Sequence, residues 1–314
     1  MILMASQRTD IPCYYGDWFI NRILSGFLYV RNPFNASQVS KIDISPEVVD
    51  CIVFLSKNPA PFISKLQYLN KYKYCFHFSL TSYGTDIEPN LPNKKKFLIS
   101  VFKEISDLIG KHKITWRYDP IFINNKYTVE YHTRAFDTIA SELNGYTEKV
   151  TISFVDMYKK VIRNTNGFDI KEVSLGQMVN LGEKISKIAK TNNMIIESCA
   201  EIADLSCIGI THGTCINKHM IEKITEYPIN AKIGKNLRDG CHCIETIEIG
   251  TYNTCKNGCI YCYANESPKR VEIESAKYDV NSPILCSSIG KDDVITTRKC
   301  KNLMISQRNL WKHQ

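Results

Sequence analysis

Short apolar segments, rich in β-branched and aromatic residues, alternate along the chain with longer segments whose apolar residues recur at helical spacing. The short segments predict buried strands at 2–5, 51–55, 74–78, 113–117, 150–154, 194–197 and 246–249. The longer segments predict helices near 15–25, 60–70, 94–110, 128–144, 176–191 and 217–226. Strand–helix alternation is typical of parallel sheets with crossover helices. We therefore expect an α/β fold, and seven such units favour a full or partial (β/α) TIM-like barrel.

Polar side chains follow most of the predicted strands. In a parallel barrel these positions meet at one rim, where active sites of this architecture are built. The candidates for such a pocket are Ser6, Arg8, Asp10, Lys57, Arg117, Asp119, Asp156 and Glu201. Asp and Ser are also common helix N-cap residues, so each position taken alone has a structural explanation of equal weight.

The length of 314 residues allows one barrel-sized domain or two domains. We expect a single domain over 1–314, with 241–287 as a cysteine-rich C-terminal segment. The formal charge of +8 is spread along the chain, which suits an anionic or nucleotide-like ligand. It forms no clustered basic stripe, so direct nucleic-acid binding is not expected.

Thirteen cysteines raise the question of redox environment. The first residues lack the basic and apolar regions of a signal peptide, and no apolar run is long enough to span a membrane. We therefore expect a cytoplasmic protein without a membrane partner, whose cysteines are reduced thiols and metal ligands rather than a disulfide framework.

One loop concentrates the candidate chemistry. Cys255, Cys259 and Cys262 follow the spacing C-x3-C-x2-C, and Tyr261 directly precedes the third cysteine. Three thiolates can hold three irons of a [4Fe–4S] cluster and leave the fourth iron open to a ligand. Gly258 allows the chain to turn back tightly between the first two cysteines.

Zinc is the alternative metal for this region. A second pair, Cys241 and Cys243, lies upstream of the loop, and paired cysteines are typical of structural zinc sites. Together with Cys199 and Cys215 these two could also form a second metal site, either zinc or iron–sulfur. His212 and His242 would be alternative ligands there.

The cysteine loop resembles the motif of the radical S-adenosylmethionine (SAM) superfamily. In most members the loop follows the first barrel strand, whereas here it follows the last predicted strand, which resembles a circular permutation. A longer pattern resembles the DUF1848 family, distantly related to spore photoproduct lyase, over residues 2 to about 287. The matching motifs lie at 6–12, 31–35, 57–59, 116–120, 152–156, 199–201, 212–215 and 249–255. Gln7 departs from the pattern, since a second arginine is common there.

The resemblance implies an enzyme with a [4Fe–4S] cluster and SAM, which together give a 5′-deoxyadenosyl radical. A subgroup of the family from Clostridia cleaves a carbon–nitrogen bond of the base queuine to release preQ1, so a queuine lyase is the expected activity. Flavodoxin or ferredoxin would be the electron donor. Two alternatives stay open: a radical SAM enzyme acting on nucleic acid or another nucleoside, and a zinc-braced binding module without catalysis.

The resemblance also implies roles for individual residues. The cluster ligands would be Cys255, Cys259 and Cys262. The candidates for binding SAM are Tyr261, Tyr263, Asn265, Ser6, Arg8 and Lys57. The candidates for binding the deazaguanine base and taking part in catalysis are Asp10, Arg117, Asp119 and Glu201, because a carboxylate can accept hydrogen bonds from adjacent base N–H groups.

Overall fold

The computed structural model describes residues 1–235 and 237–305. Within them lie eleven strands, numbered here in chain order: β1 (Ile2–Ala5), β2 (Phe27–Asn32), β3 (Asn35–Asp43), β4 (Cys51–Ser56), β5 (Tyr74–Ser79), β6 (Ile114–Ile121), β7 (Lys149–Phe154), β8 (Ile195–Cys199), β9 (Thr211–Gly213), β10 (Thr246–Glu248) and β11 (Val294–Thr297). All seven strands predicted from the sequence are present, with ends that differ by a few residues.

The helices of the described chain also follow the predicted pattern. The α-helices are α1 (Ile11–Tyr14), α2 (Gly16–Ser25), α3 (Ile99–Ile109), α4 (Val129–Leu143), α5 (Lys159–Asn164), α6 (Leu175–Thr191), α7 (Lys218–Thr225) and α8 (Pro268–Ser275). A π-helical turn (Lys94–Leu98) leads into α3, and 3₁₀ helices occupy Ala60–Leu69, Lys111–Lys113 and Ser206–Ile208. The helix expected near 60–70 is thus 3₁₀ rather than α. None of the described helices has the length and apolar character needed to cross a bilayer.

Eight strands form one sheet in the order β10-β1-β4-β5-β6-β7-β8-β9, and every neighbouring pair is parallel. This arrangement confirms the α/β class. In the described residues no strand ladder joins the two edge strands, β9 and β10. A backbone hydrogen bond from Ile244 N–H to Ile216 O (3.0 Å) connects the segments beside those edges.

The sheet has one apolar face and one mixed face. Leu3, Ile52, Phe76 and Trp116 belong to the main buried cluster, which includes the apolar sides of α2, α3, α4 and α6. Successive residues of a strand alternate between faces, so their neighbours in the chain point the other way. The burial of one apolar face against helices therefore leaves the opposite face free to carry polar side chains.

Paired residues of neighbouring parallel strands share a face, and one row of that opposite face is polar. Arg117 pairs with Thr151, and Thr151 pairs with Glu197. At the other end of the same face, apolar residues of β1 and β4 form a second cluster with Ile221 and Ile224 of α7. The polar row therefore lies nearer the carboxyl ends of the strands than these apolar residues of β1 and β4 do.

A second, three-stranded sheet was not predicted. β2 and β3 form an antiparallel hairpin, and β11 pairs in parallel with β3. β3 has only Val39 and Ile42 buried among its nine residues, so it lacks the apolar signal of a core strand.

Candidate functional site

A cavity of about 1090 Å³ lies at the carboxyl ends of the parallel strands. Its wall combines side chains that follow several strands with the cysteine loop, as expected for this architecture. The predicted residues that line it are Ser6, Arg8, Asp10, Lys57, Arg117, Asp119, Asp156, Cys255, Cys259, Tyr261, Cys262 and Tyr263. The structure thus brings most of the sequence-derived candidates to one cavity.

The cysteine loop is anchored through its backbone. Gly258 adopts a φ of +72°, which suits glycine, and a Cβ there would lie 2.9 Å from Asn90 Nδ2. Asn90 in turn donates a hydrogen bond to Lys256 O (2.8 Å). The tight turn predicted at Gly258 is therefore present, and it seats the loop against the segment after β5.

The three loop cysteines are half-buried in the cavity wall. Burial raises the pKa of the Cys259 thiol to about 12, an effect that the nearby Lys57 ammonium opposes. The pKa of Cys262 is also raised by burial, whereas the nearby backbone N–H groups of Ala264 and Asn265 oppose this effect and favour the thiolate. These thiols need a cation to ionise fully at neutral pH.

No three His, Cys, Asp or Glu side chains in 1–235 and 237–305 converge on one point in the manner of a metal cage. Within these ranges no thiol–thiol hydrogen bond joins Cys255, Cys259 and Cys262 to one another. Three thiolates at this sequence spacing can each bind a different metal atom of a larger group.

Glu88 lies at the centre of a buried network of charged and polar side chains that was not predicted from the sequence. Its side chain is 1 % exposed. One carboxylate oxygen accepts from Lys57 Nζ (2.9 Å) and from the Tyr261 hydroxyl, and the other accepts from Thr81 (2.8 Å) and Lys94. Although burial raises the pKa of Glu88, the two ammonium groups outweigh it and lower the pKa to about 2. Lys57 and Tyr261, both predicted to contact SAM, are thus held by this carboxylate.

Asp10 joins three parts of the wall. Its carboxylate caps α1 at Cys13 N (3.1 Å) and accepts from the Ser56 hydroxyl (2.6 Å). It also accepts from Lys57 N (2.8 Å) and from the side-chain amide of Asn257 in the cysteine loop (3.0 Å). Four protein donors occupy its two oxygens. Asp10 therefore connects the start of α1, the end of β4 and the loop, and its capping of α1 is the structural explanation that the sequence also allowed.

Arg117 and Asp119 form an ion pair in the cavity wall. Arg117 Nε and Nη2 lie 3.1 and 2.5 Å from Asp119 Oδ2, and Ser79 donates to Oδ1 at 3.4 Å. Within the described chain, the buried Nη1 of Arg117 has no hydrogen-bond partner. A buried donor without a partner is costly, so it marks a place where a ligand acceptor would be stabilised.

Arg8 and Tyr263 lie on the side of the cavity formed by β1 and the loop. The Arg8 guanidinium lies 4.8 Å from the centre of the Tyr252 ring, and the Tyr263 hydroxyl donates to Gln7 O (2.9 Å). Ser6 Oγ accepts from the backbone of Arg8 (2.9 Å) and Thr9 (3.3 Å). Tyr263 is 46 % exposed, which leaves its ring available to a ligand.

Two predicted residues lie apart from the cavity lining. Asn265 donates to Cys255 O (2.8 Å), so its amide closes the cysteine loop on itself. Glu201 accepts from Phe154 N–H (2.7 Å), and burial raises its pKa to about 7. Asp156, which does line the cavity, is paired with Arg238.

Four further cysteines line the same cavity on the side where the edge strands β9 and β10 lie. They are Cys199, Cys215, Cys241 and Cys243. The sulfurs of Cys215 and Cys243 lie 3.2 Å apart. The group suggested by the sequence as a second metal site is thus assembled on one side of the cavity.

Comparison with known proteins gives one match. The model of the family described as "Domain of unknown function (DUF1848)" matches residues 2–264. No curated protein and no solved structure matches the chain.

Proposed function

Since the chain belongs to the DUF1848 family, we propose that it is a radical SAM lyase that cleaves queuine to preQ1. The observation that carries the proposal is one shared cavity, which Cys255, Cys259 and Cys262 line together with the Arg117–Asp119 pair. A reactive centre and a recognition edge for a polar heterocycle would then face the same space. The proposal includes a permuted, partly open barrel in which the loop follows the last strand of the series.

The loop residues fit a [4Fe–4S] cluster. Three half-buried thiols line the cavity, backbone N–H groups favour the thiolates of Cys255 and Cys262, and the Lys57 ammonium lies near Cys259. Hydrogen bonds to the sulfurs and nearby charges help to set the reduction potential of such clusters in proteins. When bound, the cluster and SAM would supply a radical that abstracts hydrogen from the substrate, with flavodoxin or ferredoxin as the electron source.

The chain itself would supply placement and exclusion of water. Tyr263, Arg8 and Ser6 are the candidates for contact with SAM, since they line the cavity next to the loop. Lys57 and Tyr261 contribute differently, because Glu88 already engages both of them. Their role would be to fix the loop and to keep positive charge near Cys259.

For the base, the Arg117–Asp119 pair presents a donor beside an acceptor. The free Nη1 of Arg117 can donate to a carbonyl oxygen, and the Asp119 carboxylate can accept from ring or amino N–H groups. The cavity exceeds the roughly 300–1,000 Å³ usual for a single small-molecule pocket, so SAM and a base can share it. Asp10 and Glu201 already accept hydrogen bonds from protein groups. They would therefore stabilise the cavity wall rather than contact the base.

A second candidate substrate class follows from the charge at the cavity. Five cationic side chains join its lining: Lys159, Lys160, Lys235, Arg238 and Arg298. Such a set would also suit the phosphates of a nucleotide or an RNA. A radical SAM enzyme acting on a nucleoside or nucleic acid is therefore the alternative.

The test is an anaerobic assay of the reconstituted full chain with SAM, a reductant and queuine. We expect about four irons per chain, with acid-labile sulfide, and formation of preQ1 with 5′-deoxyadenosine. Cys259→Ala should abolish both products, whereas the exposed Cys207→Ala should retain them.

Three outcomes would refute parts of the proposal. SAM cleavage without preQ1 would refute the substrate, and turnover of a queuosine nucleoside or tRNA but not the free base would favour the alternative. A colourless protein that binds zinc but no iron would refute the radical enzyme altogether.

A further inference from the structure

Four cysteines from three separate segments meet beside the gap between the sheet edges. Cys199 ends β8, Cys215 follows β9, and Cys241 and Cys243 precede β10. Cys215 and Cys243 touch through their sulfurs at 3.2 Å. Cys199 lies near enough to Cys215, and Cys241 near enough to Cys243, to shift the pKa of the neighbouring thiol. The four sulfurs therefore form one group of neighbours.

Their spacing differs from that of the cysteine loop. Ligands of one tetrahedral zinc ion, with Zn–S bonds of about 2.3 Å, place their sulfurs roughly 3.8 Å apart. A contact of 3.2 Å lies near that separation and would open slightly around an ion. Thiolates of an iron–sulfur cubane bind different irons and stay farther apart. The Cys215–Cys243 contact favours a single ion. Because no three ligand-type side chains in the described residues already converge on one point, Cys199 and Cys241 would have to move toward that ion to complete a cage.

The surroundings of the group also favour thiolates. Arg238 donates to Cys199 O (3.0 Å), and the Arg117 guanidinium lies in the same wall. His77, on the polar face of β5, is 1 % exposed and has no hydrogen-bond partner for either ring nitrogen within the described chain. His77 is therefore an unsatisfied buried side chain on the sheet face that also carries Arg117.

The position of the group gives a metal a structural purpose. No strand ladder joins β9 to β10 in the described residues, and the bond from Ile244 to Ile216 lies next to Cys243 and Cys215. We propose that Cys199, Cys215, Cys241 and Cys243 bind one structural Zn²⁺, which joins the two edges of the sheet where the strand ladder is missing. Binding replaces thiol protons with the ion and releases those protons to solvent, with no redox change. The proposal does not depend on the function proposed above.

Cobalt provides the direct probe, because Co²⁺ in a tetrahedral thiolate site is strongly coloured while Zn²⁺ is silent. The full chain carrying Cys255→Ala, Cys259→Ala and Cys262→Ala should bind one Co²⁺ with thiolate charge-transfer and intense visible bands, which Zn²⁺ then displaces. Adding Cys215→Ser and Cys243→Ser should abolish these bands, whereas adding Cys207→Ser should leave them unchanged. Metal analysis of the chain without any of these substitutions should find one zinc in addition to the metal bound by the cysteine loop.

A second measurement, on the chain with all its cysteines, separates loss of the metal from misfolding of a variant. Removal of zinc by a chelator should lower its melting temperature, and zinc should restore it, while the Cys215→Ser/Cys243→Ser chain should show no response to either. Three results would overturn the proposal. The first is cobalt bands that survive Cys215→Ser and Cys243→Ser in the chain that lacks the loop cysteines. The others are about eight irons per chain from a second cluster, and two thiols that become titratable only after reduction, which would indicate a Cys215–Cys243 disulfide.

Discussion

The Tyr261 hydroxyl donates a hydrogen bond to the Glu88 carboxylate, so a residue after β5 holds the aromatic side chain that precedes the third loop cysteine. The same carboxylate binds Lys57 and Lys94. The position of the cysteine loop therefore depends on a buried charge that is distant from it in sequence. This dependence can be tested without any cofactor.

Glu88→Gln should destabilise the fold strongly. The amide keeps the shape of the side chain but leaves two largely buried ammonium groups without a counter-charge. Removal of one partner from a buried ion pair typically costs about 3–5 kcal/mol. The free energy of unfolding in urea measures this loss. Glu142→Gln, which breaks the exposed pair with Lys103, should cost less than about 1 kcal/mol. Equal losses in the two variants would show that the Glu88 network contributes no more than a surface pair.

His132 should make the stability depend on pH. Burial lowers its pKa from the ordinary 6.5 to about 4, against the opposing effect of its hydrogen bond to Phe122 O. As the pH falls from about 6.5 to about 4, the unfolded chain takes up a proton that the folded chain does not, so stability falls. The contribution is on the order of 3 kcal/mol. Urea midpoints across this pH range should fall less steeply in His132→Gln, while the exposed His219→Gln should retain the slope of the unmodified protein.

Gly250→Ala should separate β1 from the loop that follows β10. A Cβ at Gly250 would lie 1.8 Å from Ser6 Oγ and 2.7 Å from Ser6 Cβ. Overpacking of this kind costs about 1–3 kcal/mol. The double variant with Ser6→Gly should regain most of the lost melting temperature. Gly176→Ala in α6 meets no atom within 4 Å, so it should be neutral or stabilising by up to about 1 kcal/mol. Failure of Ser6→Gly to rescue the variant would contradict this explanation.

Asp119→Asn should weaken ligand binding and also lower stability, because it leaves the buried Arg117 without its counter-charge. The amide removes the charge that faces Arg117 and replaces half of the acceptor edge with a donor. Hydrogen bonds to charged groups contribute about 1.5–3 kcal/mol, so queuine affinity should fall about 10–100-fold by calorimetry. The exposed Asp107→Asn on α3 is the matched control. Unchanged affinity in Asp119→Asn would place the base elsewhere in the cavity.

The strands of the large sheet were predictable because their apolar residues are buried against helices. β4 and β5 are almost entirely buried and read as continuous apolar runs. β9 has three residues, of which only Gly213 is buried, and β3 is mostly exposed, so neither carries a hydrophobic signal. These strands form through pairing with distant partners, which local sequence does not encode.

The candidate site was predictable where chemistry and strand ends coincide. The loop cysteines, Arg117 and Asp119 all line the cavity, as expected. Glu88 was missed because it lies in an irregular segment whose sequence has no motif, and its partner Tyr261 is far along the chain. For Asp10 the signal was present, since Asp followed by Ile-Pro is a helix start, and the structure places it as the cap of α1.

β1 lies between β4, the next strand of the same sheet in sequence, and β10, which is synthesised much later. During translation one edge of β1 therefore has no strand partner until the region around residue 248 emerges, and exposed edges of this kind are prone to aggregation. The cysteine loop emerges later still, after the strands that carry the cavity wall. A newly made chain can therefore form its cysteine loop, and with it the complete cavity wall, only after all eight strands of the large sheet have been made, while α8 and β11 still follow.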